Sequence, residues 1–349
     1  MAQAHNEKIL SLCIPTYNRG ERLGKLFSRI EGLSESVKSK IQICVSDNCS
    51  TDGTPEVINE WRDKLSLVVV RQESNIGLSR NFQAVAGLAT TPWVMGMGDD
   101  DLLVAKGFEK VLSVLETLPS NAWVFANVLE PNGTTLLDIM EPGFCSITEF
   151  KRKILFSSLF YSVGFISIHI MPRDSVQQFS AFKSEPIPGW PNLALLFHVL
   201  PDVALYVEKE CVIARMGDGN LSQSWRAKDW LRVLMEKIKI SCRSESGTNL
   251  FSTVLAMRQY TSWDFSRQTL FSAMMTGEKR QLRQEISDYL DATNIHSIIR
   301  LIIKFYFFIL LLFPLGLIAF ARKLRNPAAV DASKLEKVID EKDGMNRGL

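Results

Sequence analysis

The chain of 349 residues is long enough for one large domain or two ordinary ones, with a sizeable core. With 46% hydrophobic and 22% charged residues it reads as globular, and a net charge of +2 gives no ground for nucleic-acid binding. Its six cysteines form no Cys-x-x-Cys pair and its four histidines are scattered, which argues against a zinc site.

The first apolar run, Ile9 to Ile14, has β character and no charged leader or cleavage site, so no cleaved signal peptide is expected. Pro15-Thr16-Tyr17-Asn18-Arg19-Gly20 follows as a turn, and Leu23, Leu26, Phe27 and Ile30 recur at helical spacing. Ile41 to Val45 is the next strand, followed by the polar run Ser46 to Gly53. A helix is predicted from Pro55 to about Arg62, with Thr54 as its N-cap. Leu67 to Val70 reads as a strand, Asn81 to Leu88 as a short helix and Trp93 to Met97 as a fourth strand. Phe108 to Leu115 is helical and Trp123 to Val128 extended. Cys13 and Cys44 lie inside apolar strand-like runs, where a free thiol is a small hydrophobe, a usage that suits a reducing cytoplasm.

Strands alternating with helices imply an α/β fold with a mostly parallel sheet and helices on both faces. Ligands of such sheets bind at the carboxyl ends of the strands. Each polar motif in this part of the chain follows a predicted strand, so Pro15 to Asn18, Ser46 to Asp52 and Gly98 to Asp101 should converge on one crevice. From 131 to 215 the pattern is less regular. Phe160 to Met171 is apolar, a Pro-rich loop runs from Glu185 to Pro191, Leu193 to Leu200 looks helical and Val203 to Val207 extended. From 226 to 292 the pattern is helical and polar.

The three adjacent carboxylates of Gly98-Asp99-Asp100-Asp101 repel one another at the end of a buried strand. Either a hard divalent cation such as Mg²⁺ or Mn²⁺ supplies the counter-charge, or the run is a solvated acidic turn capping the helix that starts near Val104.

Four motifs taken together resemble family 2 glycosyltransferases in order and spacing: Ile14-Pro15-Thr16-Tyr17-Asn18, Val45 to Asp52, Asn75-Ile76-Gly77-Leu78-Ser79-Arg80-Asn81, and Gly98 to Asp101. The last two are similar to those of bacterial O-antigen enzymes such as abequosyltransferases. The resemblance covers about residues 8 to 115. It implies a GT-A fold, Rossmann-like, and inverting transfer of a sugar from a nucleotide-sugar donor. By the same resemblance Pro15 and Tyr17 line the nucleobase, and Asp47 accepts a hydrogen bond from it unless it only orders its own loop as an Asx-turn. Arg80 lies near the base and phosphates unless it is a plain surface arginine, while Asn75 and Gly77 shape the turn.

Read literally as Asp-x-Asp, the acidic motif gives Asp99 and Asp101. Aligned through Leu102-Leu103, the family's last metal-binding aspartate falls on Asp100 and its first on Gly98; the expected roles are then Asp99 near the ribose and Asp100 on the metal, with Asp101 as substitute. The cation, Mg or Mn, would stabilise charge on the departing diphosphate. The family's acidic pair, source of the base that deprotonates the acceptor, is missing here; its place reads Gly189-Trp190-Pro191-Asn192-Leu193. Glu185 is the nearest candidate for the catalytic base and Asp202 the second, unless Glu185 is simply a solvated loop residue, the more ordinary reading. Trp190 either stacks on a sugar or packs in the core. Arg215, with Gly217 to Asn220 and Trp225, could form a lid near the diphosphate.

Ile298 to Phe320 is strongly apolar, but its uninterrupted part, Phe305 to Phe320, is shorter than the roughly 20 residues a span needs. Basic residues flank it on both sides, Arg300 and Lys304 before and Arg322, Lys323 and Arg325 after. A helix bent at Pro314 that lies in the membrane plane keeps both clusters on one face. A span and a buried core helix are the alternatives.

The resulting organisation is a donor-binding half (1–130), an acceptor-binding half (131–225), a helical region (226–296), a membrane-associated segment (297–325) and a charged tail (326–349). The expected partners are a nucleotide-sugar donor, a lipid-linked oligosaccharide acceptor of O-antigen synthesis and a membrane. The expected place is the cytoplasmic face of the bacterial inner membrane. The competing readings are an inactive scaffold and a nucleotidyltransferase. A Gly-rich loop and a lysine after the first strand would favour the latter, and Pro-Thr-Tyr-Asn stands there instead.

Overall fold

The computed structural model describes residues 8–130, 133–179, 190–215, 227–243 and 249–312. The donor half begins β1 (Leu10–Thr16), α1 (Gly20–Glu31), the short α2 (Glu35–Lys38), β2 (Ile41–Asp47), α3 (Thr54–Arg62), β3 (Val68–Arg71), α4 (Leu78–Ala86) and β4 (Trp93–Gly96). A turn leads to β5 (Asp101–Leu103), then α5 (Ala105–Leu115) and β6 (Ala122–Leu129). The strands β1, β2, β4 and β6 are buried at every residue, as strands covered on both faces must be. Thr54 is the first residue of α3 rather than its cap: its hydroxyl is taken by Asp52 Oδ1 and by the Arg19 N–H, so it cannot close on its own helix.

The chain continues through β7 (Gly143–Cys145), α6 (Ile147–Phe156), α7 (Leu159–Ser162), a 3-10 turn (Ile166–Ile168), β8 (His169–Pro172), α8 (Arg173–Gln177), α9 (Pro191–Val199) and β9 (Ala204–Arg215). All nine strands form one sheet in the order β3-β2-β1-β4-β8-β6-β9-β5, with β7 also on β9. The expected mostly parallel sheet is corrected to a mixed one. Pairings β1/β2, β1/β4, β2/β3 and β6/β9 are parallel, whereas β4/β8, β5/β9, β6/β8 and β7/β9 are antiparallel. Two of the antiparallel pairings come from β8, which inserts between β4 and β6 in the opposite sense, and the other two from β5 and β7, which run against β9.

A neutral histidine fixes that insertion. Trp123 can only donate, so its Nε1–H gives to His169 Nδ1 (3.1 Å), and His169 Nε2–H then donates to the Val163 carbonyl (2.8 Å). Burial holds the His169 pKa down at about 4. On the far side α5 lies directly against β9. A Cβ at Gly107 would stand 1.9 Å from the Cys211 carbonyl oxygen, so only glycine permits the approach.

The remaining helices are α10 (Ala227–Arg243), α11 (Leu250–Tyr260), α12 (Trp263–Thr276), α13 (Lys279–Asp291) and α14 (Ser297–Leu310). The inner side of α14 buries Ile303 and Phe307, whose ring meets Phe265 of α12 at 5.5 Å, while Tyr306 hydrogen-bonds Ser266 at 2.6 Å. The opposite side leaves Ile298, Leu301, Ile302, Phe305, Phe308, Ile309 and Leu312 exposed at helical spacing. Among the described residues no helix is long and apolar enough to cross a membrane. The apolar run beyond Leu312 lies outside them.

Candidate functional site

Three parallel strands bring the sequence motifs together. In the β1/β2 register Thr16 stands opposite Asp47, and the Met97 N–H donates to the Cys13 carbonyl as β4 runs out. The carboxyl ends of β1, β2 and β4 therefore lie side by side, and the acidic turn follows the last of them. Thr16 Oγ1 donates to Asp99 Oδ2 at 2.7 Å, which joins the first motif to the fourth.

The loops are tied by asparagines. Asn18, at φ 53°, accepts the Thr51 N–H on its side-chain oxygen (2.8 Å), a backbone region that asparagine tolerates well. Asn81 on α4 donates to the Ser46 carbonyl (3.0 Å) and accepts from the Ser46 hydroxyl (2.6 Å). Asn75 Oδ1 accepts both the Gly77 N–H (2.9 Å) and Asn48 Nδ2 (2.9 Å), so this residue shapes the turn into α4. Gly77 has φ +80°, which a side chain would strain.

Asp47 is 1% exposed and has two distinct oxygens. Oδ1 accepts the Ser50 N–H (2.9 Å), the Asx-turn role. Oδ2 is buried without a hydrogen bond, and the nearest cation is Arg71 Nε at 3.4 Å. This oxygen thus has an ion pair but no hydrogen bond, which leaves it under-satisfied for a buried acceptor. Pro15 is buried in β1, in register with Ser46, and the adjoining Tyr17 is 41% exposed. Arg80 is half-buried in the first turn of α4, with Gln83 Oε1 at 3.4 Å from Nη1.

The three aspartates have three different environments. Asp99 is buried, and desolvation, with the charge of Asp100 added, pushes its carboxyl up to about 6 against the pull of Arg19 and Thr16. Asp100 is the partly exposed one. Its Oδ2 meets Arg19 Nη1 at 2.5 Å and Arg22 Nη1 at 3.3 Å, and Arg19 also stands 3.8 Å from Asp99 Oδ1. Asp101 opens β5 and is buried, its Oδ2 accepting from the Ser167 hydroxyl at 2.6 Å. Burial and the charge of Asp100 raise its carboxyl well above the ordinary range. The acidic run is thus neither a freely solvated turn nor a helix cap.

Two carboxylate oxygens converge on this turn, one from Asp100 and one from Asp101. A Cβ at Gly98 would lie 2.7 Å from Asp101 Oδ2 and 3.1 Å from Asp100 Oδ1, so both oxygens crowd over the glycine and only glycine leaves that space. Among the described residues no three His, Cys, Asp or Glu side chains form a closed cage. Mg²⁺ and Mn²⁺ sites commonly use one or two carboxylates and take the rest of their ligands from substrate phosphates and water.

Other sequence candidates fall elsewhere. Glu185, Gly217 to Asn220 and Trp225 lie outside the described residues. Asp202 precedes β9, whose start aligns with the start of β6. Since β6 runs with β4, Asp202 sits at the sheet edge opposite the acidic turn and is removed from the site. Trp190 packs rather than presents its ring: Nε1 donates to the Val233 carbonyl (3.1 Å), and Lys237 Nζ lies 5.4 Å from its centroid. Asn192, at the place of the missing acidic pair, is buried with neither amide atom hydrogen-bonded. Arg215 does lie beside the acidic turn, as the cross-strand partner of Asp101, paired to Glu130 at 3.3 Å.

Sequence reasoning missed Arg19, Arg22, Thr16 and Ser167 as site residues. The signal for the arginines was present, because a triple carboxylate needs a counter-charge and both arginines follow the first strand.

Residues 11–175 match the family described as Glycosyl transferase family 2. Abequosyltransferase RfbV of Salmonella typhimurium is 37% identical over 137 residues, 38% of this chain and 40% of that protein. The chain thus spans less than half the length of this curated relative. The structure of S. aureus TarS 1-349 in complex with UDP-GlcNAc superposes with a TM-score of 0.59 at 16% identity, covering 97% of this chain and 93% of that one. Mannosyltransferase PcManGT from Pyrobaculum calidifontis, in complex with GDP-Man and Mn²⁺, gives 0.55 at 14% identity over 88% and 86%. These likenesses show a common GT-A-like α/β fold, and within it residues 11–175, a little under half of the chain, match the glycosyl transferase family 2 model.

Proposed function

We propose that the chain is an inverting glycosyltransferase that moves a sugar from a nucleotide-sugar donor to a lipid-linked saccharide in bacterial O-antigen synthesis. The observation that carries this reading is the meeting of Thr16, Asp47, Asp99 and Asp100 at the adjoining ends of β1, β2 and β4. The sugar-nucleotide complexes of the two structural neighbours and the abequosyltransferase relative support it.

In this reading Asp47 Oδ2 takes an N–H of the base, Pro15 and Tyr17 pack against the base, and Arg80 lies by the phosphates. Asp99 holds the ribose. Asp100 would hold a divalent cation, with Asp101 beside it, and the cation when bound neutralises charge on the leaving diphosphate. Glu185 is the carboxylate proposed to take the acceptor proton.

The experiment is a thermal-shift screen with UDP, GDP, CDP and TDP, with and without Mn²⁺. One nucleotide should stabilise the protein, and only with Mn²⁺. No shift with any of them overturns the donor site and favours an inactive scaffold, the reading that Asn192 in place of a carboxylate keeps open.

The same proposal sets the enzyme on the cytoplasmic face of the inner membrane, where a lipid-linked acceptor lies. Its support is the exposed apolar side of α14, where Leu301 is 68% and Phe305 63% exposed. That side runs on in sequence into further apolar residues and then Arg322, Lys323 and Arg325. The purified chain should float with phosphatidylglycerol vesicles, and a Leu301→Asp, Phe305→Asp variant should bind them at least ~10-fold less. Equal flotation of the two removes α14 from the membrane contact.

A further inference from the structure

The acidic turn is held from outside the donor motifs, by a single hydroxyl. Ser167 sits in the 3-10 turn between α7 and β8 and is 0% exposed. Its Oγ accepts the Gly98 N–H at 2.9 Å and donates to Asp101 Oδ2 at 2.6 Å. A hydroxyl has one proton and two acceptor sites, so one side chain holds both ends of the turn. The Asp101 N–H also closes on the Gly98 carbonyl at 3.3 Å. Between these two fixed points stand Asp99 and Asp100, the residues tied to Thr16 and to Arg19 and Arg22.

The platform under Ser167 is rigid for visible reasons. Ile166 packs against Gly96 so closely that a Cβ there would lie 2.7 Å from Ile166 Cγ1. The Phe165 ring lies 5.1 Å from the guanidinium carbon of Arg215, which pairs with Glu130 and stands across from Asp101 in the β5/β9 register. Residues 165 to 167 are therefore anchored to β4 and β9 at once, and Ser167 passes that anchorage to the turn.

We propose that Ser167 is a positioning residue for the acidic turn and that Asp101 is its strut. The hydroxyl sets Asp99 and Asp100 in the attitude in which they meet the donor's ribose and diphosphate cation. The second half of this statement rests on the proposed donor site; the first does not. Removing the hydroxyl leaves the part-buried Gly98 N–H and the buried Asp101 carboxylate without their shared partner, and the turn gains freedom while the surrounding strands keep theirs.

The test is hydrogen exchange on the unliganded protein, comparing wild type with Ser167→Ala and Ser167→Thr. In Ser167→Ala the peptide covering residues 97–103 should exchange on the order of tenfold faster, with β1, β2 and β6 unchanged. Ser167→Thr, which keeps the hydroxyl, should exchange at the wild-type rate. Unaltered exchange of 97–103 in Ser167→Ala, or a uniform rise across the sheet, overturns the positioning role. For the nucleotide that stabilises wild type, Ser167→Ala should need roughly tenfold more Mn²⁺ for half the stabilisation. An unchanged Mn²⁺ requirement confines Ser167 to holding the turn. If no nucleotide stabilises wild type, the donor reading fails and the exchange result still decides the clamp.

Discussion

Replacing Asp100 with alanine should abolish sugar transfer and leave the fold standing. The residue is the one member of the acidic run that is partly exposed, and its carboxylate already draws two guanidinium groups to itself. In the proposed reaction it stands by the cation that offsets charge on the leaving diphosphate. Losing a group of that kind costs on the order of 10³-fold or more in kcat. The stability cost should be modest, because the Asp100 side chain is 32% exposed and solvent partly screens its ion pairs. Release of nucleoside diphosphate and a thermal melt, run on the same preparation, check both halves. Transfer that survives Asp100→Ala would move the cation to another ligand and undo the role given to this residue.

Raising the pH from 7 to 9 should stabilise the wild-type protein relative to a Lys237→Met variant, which lacks the titrating ammonium. Lys237 is 2% exposed; its Nζ donates to the Tyr161 carbonyl (3.1 Å) and lies 5.0 Å from the Phe160 ring centroid. Burial pulls its pKa from 10.5 down to about 7. Between those values the unfolded chain holds a proton that the folded chain does not. Stability therefore rises with pH through this window, is complete above the unfolded value and is lost as pH falls toward 7. Two pH units at about 1.4 kcal/mol each amount to about 2–3 kcal/mol. Methionine matches the stem in length and carries no charge to desolvate, so the variant should melt higher than wild type at pH 7, by several degrees. The two rings favour the cation and offset part of this gain. Denaturant titrations at pH 7, 8 and 9 measure both slopes. Parallel slopes for the two proteins would show that the ammonium keeps its charge at every pH tested.

Most of the donor half was legible because β1 to β4 and β6 are short apolar runs closed by polar residues, whereas β5, only Asp101–Leu103, opens on the acidic motif itself and shows no such run. Ile41 to Val45 became Ile41–Asp47, and Trp93 to Met97 became Trp93–Gly96. Such runs state that a strand exists and say nothing of its direction. The stretch Phe160 to Met171 therefore concealed three elements, α7, a 3-10 turn and the antiparallel β8. The strand Val203 to Val207 was seen, but its continuation to Arg215 passes through the exposed Lys209 and Glu210, which break the apolar pattern. The convergence of Pro15 to Asn18, Ser46 to Asp52 and Gly98 to Asp101 was readable from the rule of strand ends. The pairing of Asp100 with Arg19 and Arg22 was not, since it depends on how the turn after β1 folds back. Ser167 was hidden for a different reason: a lone serine in an apolar run has no sequence signature, and its importance comes only from the two atoms that it faces.

The insertion of β8 also orders the events of synthesis. A ribosome that has released residues 1–130 has made every donor motif, but β6 finds its partners only in β8 and β9, and β4 lacks its second neighbour until Pro172 emerges. At about 5–20 residues per second the interval is a few seconds. During it the nascent chain carries an unpaired, wholly apolar edge, the surface most apt to join another chain. The donor motifs are thus made early and locked late, and a gene cut at residue 130 would deliver a sheet with its sticky margin left permanently open.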